Sequence, residues 1–329
     1  MAADTVLAIE GLALEARIRR SIARPVADAH VHVRAGEIVG LVGESGSGKT
    51  LTALAALRLL PDNVTIAEGR VEVGGQDVRA LDEAGLARVR GAVAGMVFQD
   101  PIGSLNPSLT IGRQVAEAVR IHGGVDRAAA DARAIEALGL VGFPRARERF
   151  DAYPHQLSGG LRQRVMIAMA IANEPRLVIA DEPTTALDVT VQAQILELLQ
   201  GLVGELGVGV LLITHDLGVV ASAADRVTVM YGGRTVEQCA VDEAFADMRH
   251  PYTEALVASA PTLSGSEETV LRGIPGAPPD PTHPEPGCPF APRCTRVLPA
   301  CAAEPPALAA IGEGRALACI NPVPEAARV

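Results

Sequence analysis

One run of eight residues, Gly43-Glu44-Ser45-Gly46-Ser47-Gly48-Lys49-Thr50, constrains this chain more than any other part of it. It follows Glu37–Val42, an apolar stretch of strand character, and leads into Lys49–Leu60, a helical stretch that Pro61 ends. Strand, glycine-rich turn and helix together fit the pattern G-x-x-x-x-G-K-[ST]. In that pattern backbone N–H groups wrap phosphates, the lysine meets the β and γ oxygens, and the hydroxyl binds magnesium. Those roles fall on Gly43 to Gly48, on Lys49 and on Thr50. Composition sharpens the reading, because the chain has 28 arginines and a single lysine, Lys49. A sequence this averse to lysine keeps one where a compact ammonium cannot be replaced by a planar guanidinium.

A magnesium nucleotide also needs a carboxylate opposite the loop, and hydrolysis needs a group that orients or deprotonates water. Leu177-Val178-Ile179-Ala180-Asp181-Glu182 offers both at the C-terminal end of an apolar strand. Asp181 is placed to hold the metal shell and Glu182 to act as general base.

The remaining organisation is that of an α/β protein. Val6–Ile9 and Val31–Val33 read as short strands, with Gly69–Val73 and Val93–Phe98 as further ones. Asp100 to about Glu174 is mostly helical. Leu177–Ala180, a helix over Val191–Leu202 and a strand at Val208–Thr214 give the strand-helix-strand alternation of a parallel layer. Val227–Tyr231 and Thr235–Glu237 flank Gly232-Gly233 as a hairpin. The final 79 residues hold 15 of the 23 prolines and four of the five cysteines, so composition changes near 250–262.

Composition also excludes. A net charge of −10 argues against coating nucleic acid, which needs a positive surface. Hydrophobic residues make up 48% of the 329, yet runs such as Val165–Ala172 stop far short of the roughly 20 that span a bilayer. Met1 to Arg20 lacks the charged-then-apolar secretory pattern, so a cytosolic location is expected.

The most specific segment is Tyr153-Pro154-His155-Gln156-Leu157-Ser158-Gly159-Gly160-Leu161-Arg162-Gln163-Arg164. Ser158, Gly159 and Gly160 can present a hydroxyl and backbone N–H groups at a helix N-terminus, an anion site favoured by the helix dipole. The segment resembles the signature of ABC-transporter ATPases and lies where that family has it, between the phosphate loop and Asp181. The resemblance implies a P-loop NTPase fold of the ABC nucleotide-binding type over residues 1–255, with a helical subdomain at about 100–174. It implies ATP and Mg2+ as ligands and head-to-tail pairing, in which the signature of one subunit (Ser158, Gly159, Gly160 and Gln163 here) closes on nucleotide held by the other. By the same resemblance Gln99 is the magnesium-sensing glutamine and joins Thr50 and Asp181 around the metal. Asp188, in Ala186-Leu187-Asp188, lies at the dimer seam, and His215, in Ile213-Thr214-His215-Asp216, contacts the γ-phosphate. One departure stands out: family members stack adenine on an early aromatic, whereas the first aromatic here is Phe98. Arg17, Arg19, Arg20 or Ile22 are the available substitutes.

The resemblance narrows further to the peptide-importer branch. It is carried by Ser104–Thr110, Ala180–Gln192, His250-Pro251-Tyr252-Thr253 and Gly287-Cys288-Pro289-Phe290-Ala291-Pro292-Arg293-Cys294. The resemblance is to D-type subunits of dipeptide and oligopeptide permeases, with nickel and glutathione importers in the same branch. Implied partners are a second, F-type ATPase, two membrane permease subunits and, through them, an extracytoplasmic solute-binding protein; the chain would sit peripherally on the cytoplasmic face. Residues 256–329 form the expected Cys/Pro-rich appendage. Its Cys288, Cys294, Cys301 and Cys319 suit an iron–sulfur cluster, zinc, or a set of unligated buried thiols, and the branch implies a [4Fe-4S] cluster. Cys239 reads as a small core residue. ABC-type ATPases acting on DNA or ribosomes are the rival class, but this chain lacks their long coiled-coil insertions and their tandem second domain.

Overall fold

The computed structural model describes residues 5–19, 21–185, 187–259, 273–283 and 286–325. Arg20 and Ala186, and with them part of the adenine and seam readings, lie outside the described residues, as does the stretch 260–272 that follows the expected domain division.

Alternation of buried and exposed positions builds a long antiparallel hairpin, β1 (Thr5–Ile18) and β2 (Ser21–Arg34). These strands are far longer than the short runs expected at Val6–Ile9 and Val31–Val33. Irregular register at four points along the pair breaks the clean period-2 pattern, and ion pairs from Arg24 to Glu15 and Glu68 hold the distal part together. β3 (Ile38–Val42) is buried at all five residues and runs into the glycine loop and α1 (Lys49–Ala56). That helix ends earlier than Pro61: Leu57 caps it and Arg58 adopts a left-handed φ of 47°. β4 (Val64–Val73) and the two-residue β5 (Gln76–Asp77) complete the antiparallel part, and α2 (Glu83–Arg88), capped by Asp82, follows.

β6 (Ala94–Val97) then opens the helical segment: α3 (Pro101–Ser104), α4 (Ile111–Gly123), α5 (Arg127–Leu140) and α6 (Gly159–Ile171). Asp100, Thr110 and Asp126 each cap the helix that follows with a side-chain oxygen, so these helix starts are written into the sequence. The chain returns through β7 (Leu177–Asp181), α7 (Val189–Leu206), β8 (Gly209–Thr214) and α8 (Leu217–Ala223) to the hairpin β9 (Arg226–Tyr231) and β10 (Arg234–Ala240).

All these strands join one sheet in the order β5-β4-β1-β2-β10-β9-β3-β8-β7-β6. β9, β3, β8, β7 and β6 are mutually parallel. Their alternate residues feed opposite faces. Val178, Ala180 and Leu212 pack with α4–α7, whereas Ile179, Leu211 and Ile213 pack with α1 and the β1–β2 hairpin. The loops after β3, β7 and β8 therefore meet at one edge, the carboxyl end of a parallel sheet, where α/β folds bind ligands.

After α9 (Val241–Ala246) and α10 (Pro251–Ser259), the C-terminal segment adds β11 (Ala309–Gly312) and β12 (Arg315–Leu317), the latter paired with β10. The division expected at 255/256 falls inside α10. Among the described residues no helix is long and apolar enough to cross a membrane.

Candidate active site

The glycine loop is shaped by what surrounds it. Gly48 caps α1 with a φ of 99°, and a Cβ there would lie 2.9 Å from Pro25 O and Val26 Cγ2. A Cβ on Gly43 would lie 2.2 Å from Met230 O. Neither position accepts another residue without moving backbone. Lys49 is 6% exposed, and its Nζ donates to Gly43 O at 2.7 Å and Glu44 O at 3.0 Å, inside the curl of the loop. Burial pulls its ammonium below the usual lysine range, with Glu182, Asp181 and Glu44 opposing. Ser47 Oγ is buried in the same loop and has no hydrogen-bond partner among the described residues. An orphan hydroxyl beside a buried ammonium and open backbone N–H groups fits a phosphate chain.

Across the loop, Thr50 Oγ1 donates to Asp181 Oδ1 at 3.2 Å. Asp181 is 4% exposed, and burial pushes its carboxyl above the usual range, while Thr50 and Lys49 pull it down. A desolvated carboxylate paired with a hydroxyl fits a divalent cation with oxygen ligands.

Glu182 stands next in the chain, with a left-handed φ of 47° that a non-glycine residue adopts at a cost of about 1–3 kcal/mol. Its N–H donates to Ile213 O at 2.9 Å, which fixes the turn against β8. Three donors hold the carboxylate. Gln99 Nε2 and Thr185 Oγ1 reach Oε2, each at 2.9 Å, and His215 Nδ1 lies 3.1 Å from Oε1. Burial alone would push Glu182 up. Hydrogen bonds from His215 and Thr185, with the charges of His215 and Lys49, outweigh it and hold the carboxyl below its usual value. The group is an anion throughout the neutral range.

Lys49, Thr50, Gln99, Asp181, Glu182 and His215 are thus assembled from four separate stretches of chain. The second set lies apart. Ser158 caps α6 with its side chain exposed and making no capping bond, and Gly159 is exposed beside it. A Cβ on Gly160 would stand 2.6 Å from Val191 Cγ1, and one on Gly159 would stand 3.4 Å from Leu187 Cδ2. The cap therefore packs on the turn where Asp188 opens α7 by accepting from Val191 N at 3.0 Å. Gln163 does not share that open face: it is 2% exposed, and its Nε2 has no partner among the described residues. Among the described residues no side-chain hydrogen bond joins Ser158 to Gly43–Thr50. Arg17, Arg19 and Ile22 are exposed at the tip of the β1–β2 hairpin.

Cys288, Cys294, Cys301 and Cys319 line one cavity together with His250 and Phe290. Arg296 N and Leu298 N donate to the sulfurs of Cys294 and Cys301 at 3.3 and 3.4 Å. Burial pushes the thiols of Cys288, Cys294 and Cys319 up, the last to about 11. Among the described residues no three His, Cys, Asp or Glu side chains are grouped to hold a metal ion. Cys239 is fully buried in the core, as expected, and burial pushes its thiol up to about 12.

Comparison with known proteins agrees with this geometry. The ABC transporter family model matches residues 26–185, and the model for the oligopeptide/dipeptide transporter C-terminal region matches 236–301. A protein of Sinorhizobium fredii named "Probable peptide ABC transporter ATP-binding protein" is 48% identical over 318 residues, 96% of this chain and 95% of that one. The chain belongs to the ABC transporter ATP-binding family. The oligopeptide transport ATP-binding protein OppD of Mycobacterium tuberculosis is 50% identical over 290 residues, which are 88% of this chain and 47% of that protein. Among solved structures, the dimeric ATP-binding cassette MJ0796, in a post-hydrolysis state bound to ADP and Pi, is similar with a TM-score of 0.64 and 28% identity, over 71% of this chain and 98% of that one. CbiO1 of Clostridium perfringens, part of the cbiONQ ABC transporter complex, gives a TM-score of 0.64 at 28% identity, over 74% and 91%.

Within this ABC ATPase the sequence reading assigned no role to Thr185, Tyr252 or Arg293, all of which reach the site. Thr185 lies three positions after Glu182, a spacing that signals a turn returning onto the carboxylate. Tyr252 and Arg293 are more than 200 residues from Glu44, their partner in the loop, and no local pattern connects them to it.

Proposed function

We propose that this chain is the ATP-binding and ATP-hydrolysing subunit of an importer of di- or oligopeptides, bound peripherally at the cytoplasmic face to two permease subunits and paired with an F-type ATPase. The observation that carries the ATPase reading is the Glu182 carboxylate, anionic and held by three donors beside the Thr50–Asp181 pair. Peptide as cargo rests on the matched C-terminal region and on relatives named for peptide transport.

In this reading the loop N–H groups and Lys49 take the triphosphate, with Lys49 exchanging the carbonyls of Gly43 and Glu44 for β and γ oxygens. Thr50, Asp181 and Gln99 would hold Mg2+, which when bound neutralises charge on those oxygens. Glu182 accepts the proton of the attacking water as that water bonds to the γ-phosphorus and ADP leaves. His215, 61% exposed, is free to turn from Glu182 towards the γ-phosphate as a donor. Ser158, Gly159 and Gly160 cover the partner's nucleotide, Gln163 supports that cap from beneath, and Asp188 lies along the seam. Binding therefore favours the closed pair and hydrolysis releases it, since only differential affinity can drive a conformational change. The exposed Ile102 and Ile121 of the helical segment after Gln99 offer the permease a contact face.

The C-terminal segment is read as an appendage carrying a [4Fe-4S] cluster on Cys288, Cys294, Cys301 and Cys319. Support comes from four sulfurs lining one cavity, two of them accepting from backbone N–H groups. Such a group supplies iron–thiolate cross-links to a segment rich in proline. Anaerobic purification with iron and sulfide analysis tests it, and the absence of both removes the cluster.

The test of the whole reading is reconstitution with the permease pair, the partner ATPase and the binding protein in proteoliposomes. ATP-dependent uptake of a labelled dipeptide or oligopeptide is expected. Uptake of nickel or glutathione alone would reassign the cargo within the branch.

A further inference from the structure

The phosphate loop is held from outside by the four-cysteine segment. The Arg293 side chain is 4% exposed, and its guanidinium grips the Glu44 carboxylate as a fork, Nη1 to Oε2 at 2.7 Å and Nη2 to Oε1 at 3.0 Å. The remaining donors are also engaged, on Tyr231 Oη at 3.1 Å, Ile274 O at 3.0 Å and Pro275 O at 2.9 Å. A planar fork fixed at both ends is a rigid strut. A second contact reaches the same loop residue: Glu44 N donates to Tyr252 Oη at 2.8 Å. Tyr252, Tyr231 and Phe290 pack as an aromatic trio, with ring centroids 4.5, 5.1 and 5.4 Å apart.

The other end of this assembly is the cysteine cavity. Arg293 immediately precedes Cys294, in the short turn Ala291–Arg293, and Cys288 O accepts from Ala291 N at 3.0 Å. Phe290 lines the cavity and also packs edge-to-face with Tyr231 and Tyr252. Cys288 N in turn donates to Cys301 O at 2.8 Å, which closes the turn on itself. Glu44 carries the main-chain oxygen that Lys49 Nζ now engages, so the strut bears directly on the loop's conformation.

We infer that Arg293 is a positioning residue for the phosphate loop, through which the packing of the four-cysteine segment sets nucleotide affinity. The inference rests on the nucleotide reading of Gly43–Thr50 proposed above. Arg293 acts through Glu44, whose main-chain oxygen accepts from Lys49 Nζ within the loop. Whatever orders the cavity orders the strut, and whatever loosens it frees the loop.

The test uses the full chain and a fluorescent ATP analogue, with ATP turnover measured in the reconstituted assembly. Arg293→Gln is expected to weaken analogue binding by about tenfold, the scale of losing a bidentate charge-assisted pair, and to raise KM for ATP with kcat within about twofold. Arg293→Lys should recover part of the loss. Glu44→Gln should have a similar effect, and the double variant should be no worse than either single one. Transmission from the cavity is read with Cys301→Ser, which should weaken binding in the wild-type background and add nothing in the Arg293→Gln background. Strict additivity of Cys301→Ser with Arg293→Gln, or unchanged affinity in both Arg293 variants, overturns the inference. Should Arg293→Gln fail to fold by circular dichroism, Tyr252→Phe, which removes only the hydroxyl on Glu44 N, supplies the same comparison. If the wild-type chain and Lys49→Ala bind the analogue equally, the nucleotide reading itself fails; if Lys49→Ala alone loses binding, only the strut does.

Discussion

His215 Nδ1 lies 3.1 Å from Glu182 Oε1, on the side of the carboxylate opposite the Oε2 contacts from Gln99 and Thr185. Glu182, the proposed base, is therefore oriented by residues that follow β6, β7 and β8. Glu182→Gln preserves shape while removing the basic oxygen. Turnover should fall by about 10²–10⁴-fold, the usual contribution of general-base catalysis, while nucleotide binding persists and the closed pair accumulates. Phosphate release and a nucleotide-trapping assay check this, and brisk turnover would show that the base lies elsewhere.

The hydrogen bonds on Glu182 carry a pH signature. They hold its carboxyl below the ordinary value against the upward push of burial. Removing one donor, as in Thr185→Val, should raise that pKa, so the base is protonated at a higher pH. The acid limb of the kcat/KM profile should move to higher pH with a smaller change on the plateau. An unmoved limb would mean that the limiting ionisation belongs to another group.

Lys49→Ala tests the loop. The buried ammonium is the one lysine in the chain and sits within the curl that phosphate oxygens would enter. Calorimetry should show nucleotide binding lost or weakened by at least about a hundredfold, as expected when a partly desolvated charge contact is removed.

Legibility followed sequence distance. Gly43–Thr50, Asp181-Glu182 and Ser158–Gly160 were readable because each is a contiguous run whose chemistry is local. The caps at Asp100, Thr110, Asp126 and Asp188 likewise reach only two or three residues forward. The hairpin β1–β2 was underestimated because its strands extend through Arg17, Ser21, Ile22 and Arg24, exposed residues without alternation. β11 and β12 escaped notice because they are short and mostly exposed, and β12 gains its place by pairing with β10 rather than by its own pattern. Gln163 belongs to the cap by the resemblance of its segment to the signature, and helical geometry turns its side chain from Ser158 into the core. The Arg293–Glu44 pair spans 249 positions and is a product of tertiary packing alone.

Acid sensitivity of the C-terminal segment is the last consequence. His250 is 1% exposed; its Nδ1 accepts from Tyr252 N at 3.0 Å, its backbone N donates to Glu237 Oε2 at 2.9 Å, and its ring lines the cysteine cavity. Burial lowers its pKa from 6.5 to about 4. A histidine kept neutral in the folded chain binds its proton more readily when unfolded, so between those two values the unfolded state holds the extra proton. Stability is then fully present above about pH 6.5 and falls by about 1.4 kcal/mol per pH unit towards pH 4, levelling off below. Thermal unfolding followed by circular dichroism should show that decline in the wild-type chain. His250→Gln, which is neutral at every pH, should flatten it, and an equally steep decline in that variant would assign the acid sensitivity to other groups.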